Sequence, residues 1–444
     1  MESIVLCLAA FLAVYGFTRN SFVAGLSAAI TVGYFYGIVR ANVPQTFSHF
    51  IFDAGLGGLY LGIWQRGLTG IQKLRIRKIR GWVLCLIGWP LLLFLIPVQD
   101  QMVQLVGLRA AVWFLPLLLI GAIIDDQERS RLAWWLAVLN LVALGFAVAE
   151  FSLGLPRFFP QNKVTHLIYI QNDVVVGSTS DFRIPSTFVQ PAGYSAAMVM
   201  SMPLIIGAWV QEKVTRIEKI VLAAGVVAAL GGVFLGASRS QALLLFAQLA
   251  ALASFAKIRL KHLVAFAALA SVAGYWVYNE PRLQRFTNLD FSVVENRVHG
   301  SVNESFLDAL TQYPMGNGLG GGGTSVLYFL QDRIENSLVI ENEYGRILLE
   351  LGIPGLLLWL VFVITAVGTA PSERAGPWRI GWRLARVTVL LYFATGFIGL
   401  GLMTSIPNTC LLLFMTGWLF APRLRPFTIS VDEPEPWFEA HPAR

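Results

Sequence analysis

Residues 340–369 read IENEYGRILLELGIPGLLLWLVFVITAVGT, and the fold class turns on this stretch. From Ile347 it is almost wholly apolar to residue 369, and as a helix that length crosses roughly 30 Å of hydrocarbon. Working outward, comparable runs lie at about 3–17, 22–39, 48–65, 81–98, 104–124, 132–152, 187–210, 218–236, 241–256, 262–278, 385–402 and 405–420. The periodicity is helical, whereas a spanning barrel would alternate in strands of about ten residues. Only 13% of the 444 residues are charged, about half the usual share of a soluble domain. These features predict an all-α polytopic membrane protein with about 12–13 transmembrane helices; the closely spaced first and last pairs allow twelve or fourteen.

Lys and Arg set the expected orientation. KLRIRKIR (73–80) is the densest basic run and belongs on the cytoplasmic side. Alternation from there puts EKVTRIEK (212–219), KIRLKH (257–262), ERAGPWRIGWR (373–383) and the tail on the same side. That side then holds 22 of the 33 Lys and Arg although its loops are shorter. Residues 1–420 thus read as one transmembrane domain, with a first outside loop at 153–186 and a large one at 279–345. The N-terminus falls outside, and MESIVLCLAA lacks the basic start of a cleaved signal. The cytoplasmic tail, 421–444, is polar, Pro-rich and expected to be disordered.

Composition also narrows the chemistry. Cys7, Cys85 and Cys410 all fall in expected spans, so no outside disulfide and no Cys/His metal site is expected. The net charge of +7 is explained by topology, and no nucleic-acid partner is implied.

Polar residues gather at the outer ends of a few helices. The first outside loop ends NDVVVGSTSDFRIPSTFVQPAGYSAAM and carries Arg183, Ser186 and Thr187 toward the next span. Pro185 and Pro191 make this segment turn as it returns to the membrane. In GASRSQALLL (236–245), two spans meet with almost no loop, so Ser238 and Arg239 lie at the outer surface. Arg109, in QLVGLRAAVWF, approaches from the same side. An arginine there either lines a wet, functional cavity or snorkels to the headgroups. Three on one face suggest an anion, since guanidinium matches phosphate oxygens in a bidentate fork. A phosphate-bearing lipid is the simplest such ligand.

The large loop contains YPMGNGLGGGG (313–323), which lacks the Gly-Lys-Ser/Thr of a nucleotide loop. It reads as a flexible hinge, or as backbone N–H groups facing phosphate. His166 and His299 read as surface residues rather than catalysts. Closing the loop, Glu341, Asn342, Glu343, Tyr344 and Arg346 arrive where the arginines do. Acidic residues suit a helix start, Asn can cap and Tyr suits the interfacial belt. A carboxylate so placed can also act as general base toward a sugar hydroxyl. Glu341 is the candidate, with Glu343 and His299 as alternatives; Glu341 and Glu343 differ by about 200° around a helix, so one site would not take both.

FRIPSTFVQPAGYSA, GASRSQALLL, and YPMGNGLGGGG followed by IENEYGRILLELGIPGLLLWL together resemble the O-antigen ligase and polymerase superfamily of bacterial envelope proteins. QLVGLRAAVWFLPLLL is similar to an earlier helix of that family, and the resemblance covers roughly residues 100 to 420. It implies a multi-pass inner-membrane glycosyltransferase with its active site on the periplasmic side. The family's donor is a glycan on undecaprenyl diphosphate, its acceptor is another lipid-linked glycan or lipid A core, and it uses no metal or nucleotide cofactor. A chain-length regulator is a possible further partner. The family's arginines correspond to Arg183 and Arg239, and its ligase-type histidine falls on Glu341. Asn342 and Tyr344 agree with the pattern, while Gly345 stands where a Leu is usual. With a carboxylate replacing the histidine, the resemblance leans to the polymerase branch, building O-antigen or exopolysaccharide by inverting transfer. Catalytic roles then fall to Glu341, Arg239 and Arg183, and substrate contacts to Arg109, Ser238, Asn342, Tyr344 and Arg346. Ligation to lipid A core or another acceptor is the alternative. A non-enzymatic transporter of the same lipid-linked glycan is the second; it would show internal repeats and helices broken near mid-membrane.

Overall fold

The helix starts carry recognisable local chemistry. Thr69, Asp125 and Thr215 each cap a helix in reciprocal hydrogen bonding with Gln72, Glu128 and Glu218 three residues on, satisfying N–H groups that helix geometry leaves over. In this computed structural model, the described residues are 1–166, 168–169, 183–211, 214–255, 305–323, 326–327, 329–336, 338, 340, 342–368 and 376–421. They form α1 (Glu2–Asn20), α2 (Phe22–Asn42), α3 (Ile51–Arg66), α4 (Gly70–Phe94), α5 (Gln101–Val112), α6 (Pro116–Ile123) and α7 (Asp126–Leu153). After the segment that follows α7 come α8 (Pro191–Trp209), α9 (Arg216–Leu235), α10 (Arg239–Phe255), α11 (Ser305–Gln312), α12 (Glu343–Gly368), α13 (Arg379–Thr395) and α14 (Asn408–Phe420). No strand occurs among the described residues. Taking α5 and α6 as one span, seven helices among the described residues are long and apolar enough to cross a membrane, and the chain is an all-α, multi-pass membrane protein in outline. The expected span at 262–278, residues 170–182 of the loop at 153–186, the first part of the loop at 279–345, and nearly all of the tail lie outside the described residues.

Burial runs as lipid requires. Leu243 and Ile364 are each 70% exposed and face outward, while α8, touched by α7, α9, α10, α13 and α14, is buried almost all round. Without a hydrophobic drive between helices in lipid, small residues let backbones close up. A Cβ on Gly121 of α6 would stand 1.9 Å from the Phe414 carbonyl oxygen, and one on Gly417 of α14 would stand 2.0 Å from that of Leu118. Neither helix could hold its place with a side chain there.

Three expectations are revised. KLRIRKIR is not a loop but the first turns of α4. Ile76, Ile79, Val83 and Leu86 form its buried stripe, and Lys73, Arg77, Lys78 and Arg80 are exposed. The run at 104–124 breaks into α5 and α6 before Pro116, whose ring and missing N–H interrupt the ladder. The run at 347–369 breaks as well, at Gly352 (φ 71°), two residues before Pro354. Irregular backbone at membrane depth is tolerated where protein covers it, and here the Gly-rich segment does so. The Asn317 N–H donates to the Leu349 carbonyl (2.6 Å), the Ile353 N–H to that of Pro314 (2.9 Å), and the Trp89 indole to that of Leu351 (2.9 Å).

Candidate functional site

One end of the bundle collects the polar segments. The Ser3 hydroxyl donates to Gln45, Asn42 to the Phe158 carbonyl, Asn162 to the Ala41 carbonyl, and Gln99 to the carbonyls of Asn317 and Glu335. At the opposite end Arg66 reaches the Thr18 carbonyl, Arg75 that of Ile123, and Trp378 that of Asp126. The basic start of α4 therefore sits at the end opposite Arg183 and Arg239.

Arg183 and the Ser-Arg turn come together there. The Arg183 Nε–H donates to the Gly236 carbonyl (3.4 Å), and the next residue, Ile184, donates its N–H to the Leu235 carbonyl (3.3 Å). The segment leading into α8 is thus laced to the end of α9, three residues before Arg239 opens α10. Both arginines are half-buried. Ser238 is buried, its Oγ 3.4 Å from that of Ser240. Two non-glycine residues flank this contact in left-handed backbone, Ser186 (φ 53°) and Ala237 (φ 45°). Such residues cost about 1–3 kcal/mol each and concentrate where the surrounding structure holds a chain for a purpose.

What holds Ser186 is a residue the sequence reading missed. Glu150, fully buried in the last turn of α7, accepts the Ser186 N–H on Oε2 (2.9 Å), and the Ser186 hydroxyl donates to the Ala143 carbonyl (2.7 Å). A carboxylate at a helix C-terminus opposes the helix dipole; that was the available signal. Around it, Glu150 Oε1, Thr187 Oγ1, Tyr194 Oη and Ser195 Oγ are buried without a hydrogen-bond partner among the described residues. Buried polar atoms are seldom left so, and these four form a polar cluster around the segment that carries Arg183.

The start of α12 is fastened differently. Glu341 and His299 lie outside the described residues, and His166 is exposed. Asn342 caps the helix, its Oδ1 accepting the Gly345 N–H. Tyr344 stacks near Phe397 (4.3 Å between centroids) and donates its hydroxyl to the Phe393 carbonyl (3.0 Å). Glu343 turns inward: Oε1 accepts from Arg346 Nη2 (2.6 Å) and Nε (3.1 Å), and Oε2 accepts the N–H groups of Gly401 (2.9 Å) and Leu402 (3.2 Å). Arg346 Nη1 donates to Glu350 Oε2 (2.6 Å). The three charges are at most 5% exposed. Of the three residues expected to touch substrate, Tyr344 ties α12 to α13, while Asn342 and Arg346 bond within α12, where Glu343 makes the tie to the 396–402 turn.

Arg109 is likewise committed within the protein. Its Nε and Nη2 grip Asp53 of α3 at 2.8 and 2.6 Å, a two-toothed fork. The Gly-rich segment is packed rather than hinged. Gly316, Gly318, Gly320 and Gly323 have positive φ, and a Cβ on Gly107 of α5 would stand 2.2 Å from the Gly320 nitrogen. Among the described residues no group of three or more His, Cys, Asp or Glu gathers to ligate a metal ion. No family model matches the chain, and no curated protein matches it.

Proposed function

We propose that the chain transfers a glycan from undecaprenyl diphosphate to a sugar hydroxyl of an acceptor glycan, polymerising O-antigen or exopolysaccharide units at the outer face of the inner membrane. The observation that carries this reading is the joining of Arg183 to the Gly236 carbonyl, which brings two arginine-bearing segments to one end of the bundle. Guanidinium groups there suit a diphosphate and stabilise the negative charge that grows as it leaves. In the step, the acceptor oxygen bonds to the anomeric carbon from the face opposite the diphosphate. The carbon–oxygen bond to the diphosphate breaks, and undecaprenyl diphosphate departs with the electron pair. The hydroxyl proton passes to a carboxylate, for which Glu341 remains the candidate from sequence. Ligation to a lipid A core uses the same step with another acceptor.

One feature favours a second reading. The break in α12 at Gly352 beside buried Glu343, Arg346 and Glu350 is the kind of interrupted helix found in transporters of charged substrates. The two readings separate in detergent. Purified protein given a lipid-diphosphate oligosaccharide should release undecaprenyl diphosphate and lengthen the glycan, which a transporter cannot do without a membrane to cross. Release of neither, from protein shown to bind the donor, would favour transport.

A further inference from the structure

At the end of the bundle opposite Arg183, a groove of about 530 Å³ opens between the end of α3, the turn into α4, and α6. Its volume falls within the roughly 300–1,000 Å³ of small-molecule sites. The floor is apolar, with Ile63, Leu119, Ile120 and Ile123, and the one charged lining residue is Lys73. Trp64, also lining the groove, is 78% exposed. Trp beside Lys at a helix end marks headgroup depth in a membrane, so the floor lies deeper, at acyl-chain level.

The helix that supplies Lys73 is cationic along its first turns. Lys73, Arg77, Lys78 and Arg80 are exposed on the first turns of α4, and Arg75 donates to the carbonyl of Ile123, itself a lining residue. The nearby acids are engaged elsewhere. Asp126 pairs with Arg129, and Asp125 and Glu128 cap α7 reciprocally. Lys73 makes no ion pair with a described carboxylate. A polybasic stretch beside a membrane span attracts anionic lipid headgroups; here it adjoins a groove with an apolar floor.

We propose that this groove is a binding site for an anionic glycerophospholipid, with one acyl chain along Leu119 and Ile120 and the headgroup phosphate on Lys73. The full-length protein, purified in mild detergent and offered equal phosphatidylglycerol and phosphatidylcholine, should retain phosphatidylglycerol preferentially in native mass spectrometry. Lys73→Ala should weaken that retention about fivefold, the effect of one basic residue at a membrane surface. Leu119→Trp, which fills the floor, should abolish it, and Lys78→Ala, a neighbouring charge that does not line the groove, should change it little. Leu68→Trp, filling the opposite wall, serves should Leu119→Trp fail to fold. Equal retention of the two lipids, equal losses in Lys73→Ala and Lys78→Ala, or unchanged retention in a folded Trp variant would overturn the site.

Discussion

Replacing Arg346 by Leu removes the shared partner of two buried carboxylates. Glu343 keeps the N–H groups of Gly401 and Leu402, whereas Glu350 loses its 2.6 Å bond to Nη1. Glu350 is 1% exposed, so water cannot replace what is lost. Breaking a buried pair from one side costs about 3–5 kcal/mol, mostly because the surviving charge is stranded. Unfolding entropy near 2.1 cal/mol/K per residue makes each kcal/mol worth about 1 °C for a cooperative chain of 444 residues. Arg346→Leu should therefore melt roughly 3–5 °C below the wild type in detergent. The double variant Arg346→Leu/Glu350→Leu should recover at least half of that loss, because it removes the stranded charge in a pocket walled by Phe114, Trp359 and Met403. A single variant that melts with the wild type, or a double variant that melts below the single, would refute the stranded-charge reasoning.

Gly417→Leu should abolish monodisperse protein on size exclusion, because its Cβ would collide with the Leu118 carbonyl, while Gly88→Leu, with open space around it, should behave as wild type. Asp53→Asn leaves the Arg109 fork facing a neutral amide, so it should lower the melting temperature by about 3 °C or more. If Arg109 serves the fold, Arg109→Lys should do the same without changing the affinity for donor. For orientation, Lys163→Cys should react with an impermeant maleimide in intact cells and Arg77→Cys should not; both sites are exposed, and the reverse pattern would invert the topology.

The spans were legible because an apolar run must be long enough to cross lipid, and that length is written along one dimension. Twelve of the thirteen expected runs coincide with described helices; the other lies outside the described residues. Breaks within runs were harder to read. Gly352 and Pro354 stand in plain sight, but what makes the break tolerable is Asn317 and Pro314 from a distant loop. The start of α4 was read as a loop because its charges outnumber its apolar residues, although Ile76 and Ile79 keep helical spacing with Val83. Partnerships were least legible. Asp53 with Arg109, and Glu150 with Ser186, join residues 56 and 36 positions apart, and no local pattern announces them. The joining of Arg183 to the Ser-Arg turn was foreseeable only as a shared membrane face. At the start of α12, the bonds of Glu343 to Gly401 and of Tyr344 to Phe393 join residues about 50–60 positions apart, which the local sequence does not announce.

In the proposed transfer, Arg183 and Arg239 act on one diphosphate. The direct measurement is the rate of undecaprenyl diphosphate release by purified wild-type, Arg183→Lys, Arg239→Lys and Arg333→Lys proteins, given the same lipid-linked oligosaccharide. Lysine keeps the charge but loses the fork, so the first two variants should each fall by at least tenfold while Arg333→Lys, at an exposed surface pair with Asp100, stays near wild type. Wild-type rates from both Arg183→Lys and Arg239→Lys would contradict the claim.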